Sequence, residues 1–253
     1  MSTKERTQTM DTPRRIFGRL QSRWGIHVSR TGSDTMLQPA EVLRDVARYT
    51  TTLGPIWLPA DDLTDVVARD IRRGLVADRD VVHALMPFIG PDTTVIDVGA
   101  GYGQMAMLFA EHVGPQGHVH AIETDKRAAH ICSLNTNRYS NITLHRSAPY
   151  KRTVTERVDS VRGATLIAIS DLAPRTRVSA LKIGVTDLVW PTLWGAVDVI
   201  GTDRPAIAFR FDHRSQDLPG NTFGDFTAFF DKHRYKITAA YGGFYFIATH
   251  RDA

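Results

Sequence analysis

Thr94–Ala106 reads TVIDVGAGYGQMA: an apolar strand ending in Asp97, glycines at 99, 101 and 103, then a helix-type run. A strand that feeds a glycine-rich turn and a helix is how an open α/β sheet cradles a nucleotide-like ligand. The turn must bend sharply and let a ligand approach where a Cβ would stand in the way. A dinucleotide fingerprint requires G-x-G-x-x-G, but counting from Gly99 the sixth position is Gln104. The spacing here is D-x-G-x-G-x-G, with an acid two residues ahead of the first glycine. That acid suits a ligand with a cationic amine and no pyrophosphate, such as S-adenosylmethionine. A purely structural strand–turn–helix is the bland alternative, and three alternating glycines argue against it.

The second half of the signature lies at the expected distance. After Gly117, His118–Thr124 (HVHAIET) reads as the next strand and carries Glu123 at its tip. An acid there, about 20 residues past the glycine turn, bonds ribose hydroxyls in this architecture. Lys126–Arg138 has helical content, Asn141–His145 (NITLH) is a third strand, and Ser147 and Ala148 follow where an adenine edge would lie.

At 253 residues the chain is long enough for one α/β domain with an extension, or for one and a half domains. No apolar run approaches the ~18 residues of a membrane span, and the first residues lack an apolar signal core. The single Cys132 fits a reducing cytoplasm and reads as buried filler of a helix. No C-x-x-C or H-E-x-x-H spacing occurs, so no metal site is expected. The net charge of +4 is concentrated at one end. Residues 1–32 carry Lys4, Arg6, Arg14, Arg15, Arg19, Arg23 and Arg30 against Glu5 and Asp11, an excess larger than that of the whole chain. Ile16, Phe17, Leu20, Trp24 and Val28 recur among them at roughly helical spacing. The segment reads first as a basic helix docking on the domain or a partner, next as a peripheral membrane contact, and only third as an RNA-binding arm.

The remaining elements complete a plan. Pro39–Tyr49 has the apolar period of an amphipathic helix, with Val42, Val46 and Tyr49 on one face. Gly54–Pro59 is extended, and Ala60–Arg73 and Asp78–Phe88 read as helices. Past an irregular Pro149–Gly163 come a short strand at Ala164–Ser170, a basic turn at Pro174–Arg177 and a fourth core strand at Ala180–Val185. A helix from Pro191 to about Ile200 precedes a fifth strand, Pro205–Phe211, and a helix, Phe223–His233. Two aromatic strands, Tyr235–Tyr241 and Gly243–His250, meet across Gly242–Gly243 as a hairpin. The expected fold is α/β: a doubly wound, Rossmann-like, mostly parallel sheet closing in an antiparallel C-terminal hairpin, with a helical N-terminal extension. That is the plan of class I methyltransferases, whereas a dehydrogenase would continue with parallel units. The expected division is a basic arm over 1–36, a helical preamble over 37–90 and the cofactor-binding domain over 91–253. The two aromatic strands, if at the sheet edge, offer a homodimer surface.

Residues from about Ile56 to His250 resemble the FkbM-type methyltransferases, many of which O-methylate sugars and secondary metabolites. The resemblance runs through WLPADD, VIDVGAGYG, HVHAIETD, the helix with Asn135 and Asn137, NITLH, LKIGV, a helix ending in LWGA, and RPAIAF. It implies S-adenosylmethionine as cofactor and a small-molecule acceptor. The contacts it carries over are Asp97, Gly99, Gly101, Gly103, Glu123, Ser147 and Ala148. Ala100, Tyr102 and Thr124 join this set as their neighbours in the two motifs.

The chain departs from the family at the acceptor end. Where the family reads like K-I-D-V-E-G, this chain has Lys182-Ile183-Gly184-Val185-Thr186-Asp187, and Arg210 stands where Glu often ends the fifth strand. Candidate catalytic residues are therefore His213, Asp187, Lys182 and Arg210, with Asp212 as a further acid. His213 is the preferred base because a histidine titrates near neutrality. Arg210 suits an anionic group, and Lys182 reads either as orienting the acceptor or as anchoring a sheet edge. An O-methyltransferase with a rebuilt acceptor site leads these readings. A cofactor-binding partner subunit that has lost its chemistry comes second. An RNA methyltransferase rests on the basic arm alone and lacks an N-P-P-Y-like clamp.

Overall fold

The computed structural model describes residues 36–62, 64–158, 164–172, 176–211, 222–239 and 245–252. The basic segment 1–35, Asp212, His213 and the Gly242–Gly243 turn lie outside the described residues.

The described residues open with β1 (Glu41–Leu43), β2 (Val46–Thr51) and β3 (Gly54–Pro59), an antiparallel sheet in that order. Helices α1 (Val66–Arg72) and α2 (Arg79–Leu85) follow, and a 3-10 turn at Met86–Phe88 leads to the first core strand. The core then runs β4 (Thr94–Val98), α3 (Gln104–Val113), β5 (His118–Ile122), α4 (Lys126–Thr136) and β6 (Ile142–His145). An excursion of β7 (Ser147–Pro149), β8 (Val154–Val158) and β9 (Ala164–Ile167) forms a small separate sheet in the order β7-β9-β8. The core resumes with β10 (Val178–Ile183), α5 (Val189–Gly195), α6 (Val197–Thr202), β11 (Ala206–Arg210), α7 (Phe223–Lys232), β12 (Tyr235–Ala239) and β13 (Tyr245–His250).

Seven of these strands form the main sheet, ordered β12-β13-β11-β10-β4-β5-β6. Pairing is parallel from β6 through β11, and β13 runs antiparallel to both β11 and β12. The central strands β4, β5, β10 and β11 are buried on both faces, as a sheet sandwiched by helices requires. Val81, Leu85, Phe109 and Val113 from α2 and α3 cover one face. Leu193, Ile200, Phe226 and Phe230 from α5, α6 and α7 cover the other. The chain walks outward from β4 to β6 and then returns to β4's other side at β10. The topological switch point, where open α/β sheets bind ligands, therefore lies between β4 and β10.

The doubly wound sheet and its closing hairpin agree with the sequence reading; three expectations do not hold. Pro39–Tyr49 is not a helix: β1 and β2 lie there, joined through Arg44 in the left-handed region at φ 51°. Val46, Ala47 and Tyr49 are buried, whereas Val42, assigned to the same helical face, is 57% exposed. Pairing with β3 from Val46↔Pro59 to Thr51↔Gly54 overrides the local period. Within the stretch expected to be irregular, Val154–Val158 is a strand paired with β9. Of the two aromatic strands only β12 lies at the sheet edge, because β13 inserts between it and β11. Among the described residues, no helix is long and apolar enough to cross a membrane.

Candidate functional site

The glycine turn sits at the carboxyl end of β4, directly at the switch point. Gly99 and Gly101 both adopt left-handed backbone, with φ of 73° and 54°. A Cβ on Gly99 would stand 2.6 Å from Val185 Cγ2, so this glycine lets the end of β10 close over the turn. A Cβ on Gly101 would meet nothing within 4 Å, so its bare face looks into open space. At Gly103 the neighbours would be Cys132 and Thr136 of α4, each 3.0 Å away. This position therefore serves close helix packing.

The turn spends its own donors. Gly99 and Ala100 donate their N–H groups to Ile122 O at 2.9 and 3.1 Å, and Gly103 donates to Ala100 O at 2.9 Å. Gly101 donates to Glu123 Oε2 at 2.8 Å, while Asp125 N donates to Glu123 Oε1 at 2.8 Å. A phosphate cradle needs such donors free and aimed at the ligand, so these four do not form one. Glu123 is thereby fixed at the rim of the turn; with Thr124 N–H as a third backbone donor, one of its four lone-pair sites stays open. Burial pushes its carboxyl above the usual range, against the pull of these backbone bonds.

Asp97 lies beneath the turn, 0% exposed, beside Lys182 in the β4–β10 register. Lys182 Nζ stands 2.9 Å from Asp97 Oδ1 and donates to Gly99 O at 3.1 Å. Asp97 Oδ2 meets no hydrogen-bond donor among the described residues. Lys182 thus occupies a central strand, not a sheet edge, and its ammonium is committed to the floor of the turn. Any side chain at 184 would displace it, since a Cβ there would be 2.7 Å from Nζ.

Other candidates spread around this centre. Tyr102 points away from the turn and donates to Asp65 Oδ2 at 2.9 Å. Thr124 Oγ1 donates to Ser147 O at 3.3 Å, and Ser147 Oγ pairs with Thr165 Oγ1 at 2.7 Å, which brings Thr124 and Ser147 together. Ala148 is buried. Arg210 ends β11 opposite Tyr245 of β13. Asp187 is exposed in a 3-10 turn, Thr186–Leu188, just past β10. Among the described residues, no group of three or more His, Cys, Asp or Glu is placed to hold a metal ion.

The sequence reading named Asn135 only within a family block and gave no role to a second circle of residues. Asn135 accepts from Trp57 N at 2.6 Å and donates to Trp57 O and Tyr102 O at 2.9 and 2.7 Å, so it joins β3 to the glycine turn. Gln104 accepts from Ala77 N at 2.9 Å and donates to Leu75 O at 3.1 Å. Tyr245 donates to Asp78 Oδ2 at 3.0 Å. In the sequence Gln104 stands out only as the residue that breaks a dinucleotide motif, Asp78 only as the start of a helix, and Tyr245 only as part of an aromatic strand.

No family model and no curated protein matches the chain. Solved structures similar to it include a methyltransferase FkbM from Methylobacillus flagellatus KT, at 18% identity and a TM-score of 0.49 over 73% of this chain and 60% of that one. The chain thus spans well under two thirds of that protein's length. A SAM-dependent O-methyltransferase from Thermotoga maritima is similar at 15% identity and 0.45, over 88% and 94%. Fibrillarin from Aeropyrum pernix, with natively bound S-adenosyl-L-methionine, is similar at 11% and 0.43, over 86% and 99%. At these identities the fold assignment rests on the strand order of the chain itself.

Proposed function

We propose that the chain is an S-adenosylmethionine-dependent methyltransferase acting on an oxygen of a small acceptor, a sugar or another secondary metabolite. One observation carries the reading: a glycine turn at the switch point whose N–H groups at 99, 100, 101 and 103 are already bonded, with Glu123 fixed at its rim. Such a turn suits an adenosyl ligand without phosphates. The residues present fit that ligand. Gly101 leaves the approach clear, Glu123 keeps a lone pair for a ribose hydroxyl, and Asp97 Oδ2 is an unmatched acceptor under the turn. Thr124, Ser147 and Ala148 lie along the nucleoside side.

When bound, the cofactor supplies an electrophilic methyl group on sulfur. The chain's contribution is placement, which in favourable cases lowers a barrier by ~7–11 kcal/mol. Lys182 acts through Asp97 by holding that carboxylate in place. Arg210 suits an anionic part of the acceptor, and Asp187 and His213 stay as proposed proton acceptors. The division into an arm (1–36), an extension (37–90) and a catalytic domain (91–253) belongs to this reading. So do docking of the arm on a partner or an anionic membrane, self-association through the sheet edge, and a reducing cytoplasm, where Cys132 stays a buried thiol pushed up to about 12 by that burial.

Calorimetric titration with S-adenosylmethionine and S-adenosylhomocysteine tests the cofactor half, and no binding to either overturns it. Gly101→Ala should weaken both by tenfold or more while moving the melting midpoint by only about 2–4 °C, because a Cβ costs ~1 kcal/mol at a left-handed position. Transfer of a labelled methyl group to a panel of glycosides and hydroxylated metabolites tests the enzymatic half. Intact binding with no transfer would favour the partner-subunit reading.

A further inference from the structure

We propose that the Tyr245 hydroxyl, held by Asp78, forms the acceptor-facing wall of the site and takes a hydrogen bond from the acceptor's nucleophilic group beside the transferred methyl. The inference rests on the cofactor reading above and specifies the other half of the same site.

The placement follows from the sheet. Glu123 directly follows β5 on one side of β4, and Lys182 lies in β10 on the other. A ligand whose ribose lies on Glu123 extends its sulfonium end across β4 toward β10. Tyr245 stands over that end: it pairs with Arg210 at the tip of β11, and a Cβ on Gly184 would be 3.3 Å from its hydroxyl.

Asp78 is built for this contact at the expense of its own helix. It occupies the N-cap position of α2 in left-handed backbone, φ 50°, and its side chain makes no capping bond. An aspartate at that position ordinarily accepts from the first turn of the helix. Here Oδ2 accepts from Tyr245 Oη at 3.0 Å, across 167 residues of sequence. Strain of this kind persists where the surroundings over-determine it. Those surroundings are Gln104, whose side chain grips Leu75 O and Ala77 N immediately before Asp78. The first residue of the helix after the glycine turn therefore sets the position of the acid.

The polarity of the pair fixes what it recognises. Tyr245 spends its proton on Asp78, so its remaining lone pairs accept. The charged groups around the hydroxyl are Asp78, Lys182 and Arg210. Burial first, and the Asp78 carboxylate with it, push the phenol up to about 12 against the pull of Lys182 and Arg210, so it stays protonated at neutral pH. A hydroxyl or ammonium donor is matched at that oxygen; a carboxylate is not.

The test uses two probes, S-adenosylhomocysteine and sinefungin, which carries an amine on the carbon that replaces the sulfonium. Calorimetry on the wild-type chain, Tyr245→Phe and Asp78→Asn should show wild type preferring sinefungin by about tenfold or more, the size of a charge-assisted hydrogen bond. Tyr245→Phe should lose that preference and Asp78→Asn, whose neutral amide oxygen polarises the hydroxyl less, should reduce it, while both bind S-adenosylhomocysteine within about twofold of wild type, since Asn tolerates left-handed backbone and Phe keeps the ring. The proposal fails if wild type shows no preference, or if Tyr245→Phe retains it or Asp78→Asn leaves it undiminished. It fails equally if the variants lose S-adenosylhomocysteine as well, for the pair would then frame the donor site. No binding of S-adenosylhomocysteine to the wild-type chain removes the cofactor reading and this inference together.

Discussion

At Lys182 the energetics turn on one contact. Removing an ammonium from water costs several kcal/mol, and a carboxylate 2.9 Å away on the neighbouring strand offsets it. Burial by itself would lower the lysine's pKa, but attraction to Asp97, joined by Tyr245 and Asp78, outweighs burial and holds it above its ordinary value. Burial raises the Asp97 carboxyl, and Lys182 opposes that rise. The proton stays on the lysine, and the pair stands as ammonium and carboxylate. Lys182→Met alone should cost about 3–5 kcal/mol by stranding a buried carboxylate, and Asp97→Leu about as much by stranding the ammonium. The double variant should recover at least ~2 kcal/mol of the summed loss, read from urea denaturation. Additive losses would mean that the two charges do not stabilise one another.

At the scale of elements, Asn135 does for β3 what a neighbouring strand would do. Its amide pairs with both the N–H and the carbonyl of Trp57 and also reaches Tyr102 O. Arg138 adds bonds to Leu53 O and Pro55 O at 2.9 and 3.2 Å. The extension is thus fastened to α4 and to the glycine turn at once. Asn135→Leu would strand three backbone groups, each worth about 1 kcal/mol, so the expected loss is about 2–4 kcal/mol. Hydrogen exchange should show amides of β2 and β3 opening before those of β4 and β5 in this variant. Unchanged protection in the extension would refute the clamp. The same element explains why Pro39–Tyr49 misled. Apolar residues at 42, 46 and 49 fit a helix, but β2 pairs with β3 on one side and β1 on the other, which no local pattern announces.

For the whole molecule, a row of histidines on β5 and β6 is expected to weaken the fold in acid. His120 Nδ1 stands 3.0 Å from His145 Nε2, and the His118 ring lies 4.8 Å from that of His120. Burial, then repulsion from His145 and His118, lowers His120 to about 4, and burial lowers His145 as well. A histidine whose folded pKa lies below its unfolded value near 6.5 binds fewer protons in the native state. Its stabilising effect is therefore complete above pH 6.5 and declines as pH falls toward 4. The fold should lose on the order of 2 kcal/mol between pH 7 and pH 4.5, a figure reduced for the partial exposure of these rings. His120→Asn should flatten the profile of unfolding midpoint against pH, and an unchanged slope would exclude this row as its source.

The amino-acid sequence by itself determined the parallel sheet, the glycine turn, Asp97 and Glu123 as its acids, and the closing hairpin. Each of these is a demand of backbone geometry or periodicity on adjacent residues, and so leaves a mark at fixed spacing. Only the tertiary structure decided that Lys182 belongs to Asp97, that the extension begins as a sheet, and that Asp78 turns from its own helix to Tyr245. Those contacts join residues 85, up to 13 and 167 positions apart. Their partners are chosen by strand order and packing, which no spacing along the chain encodes.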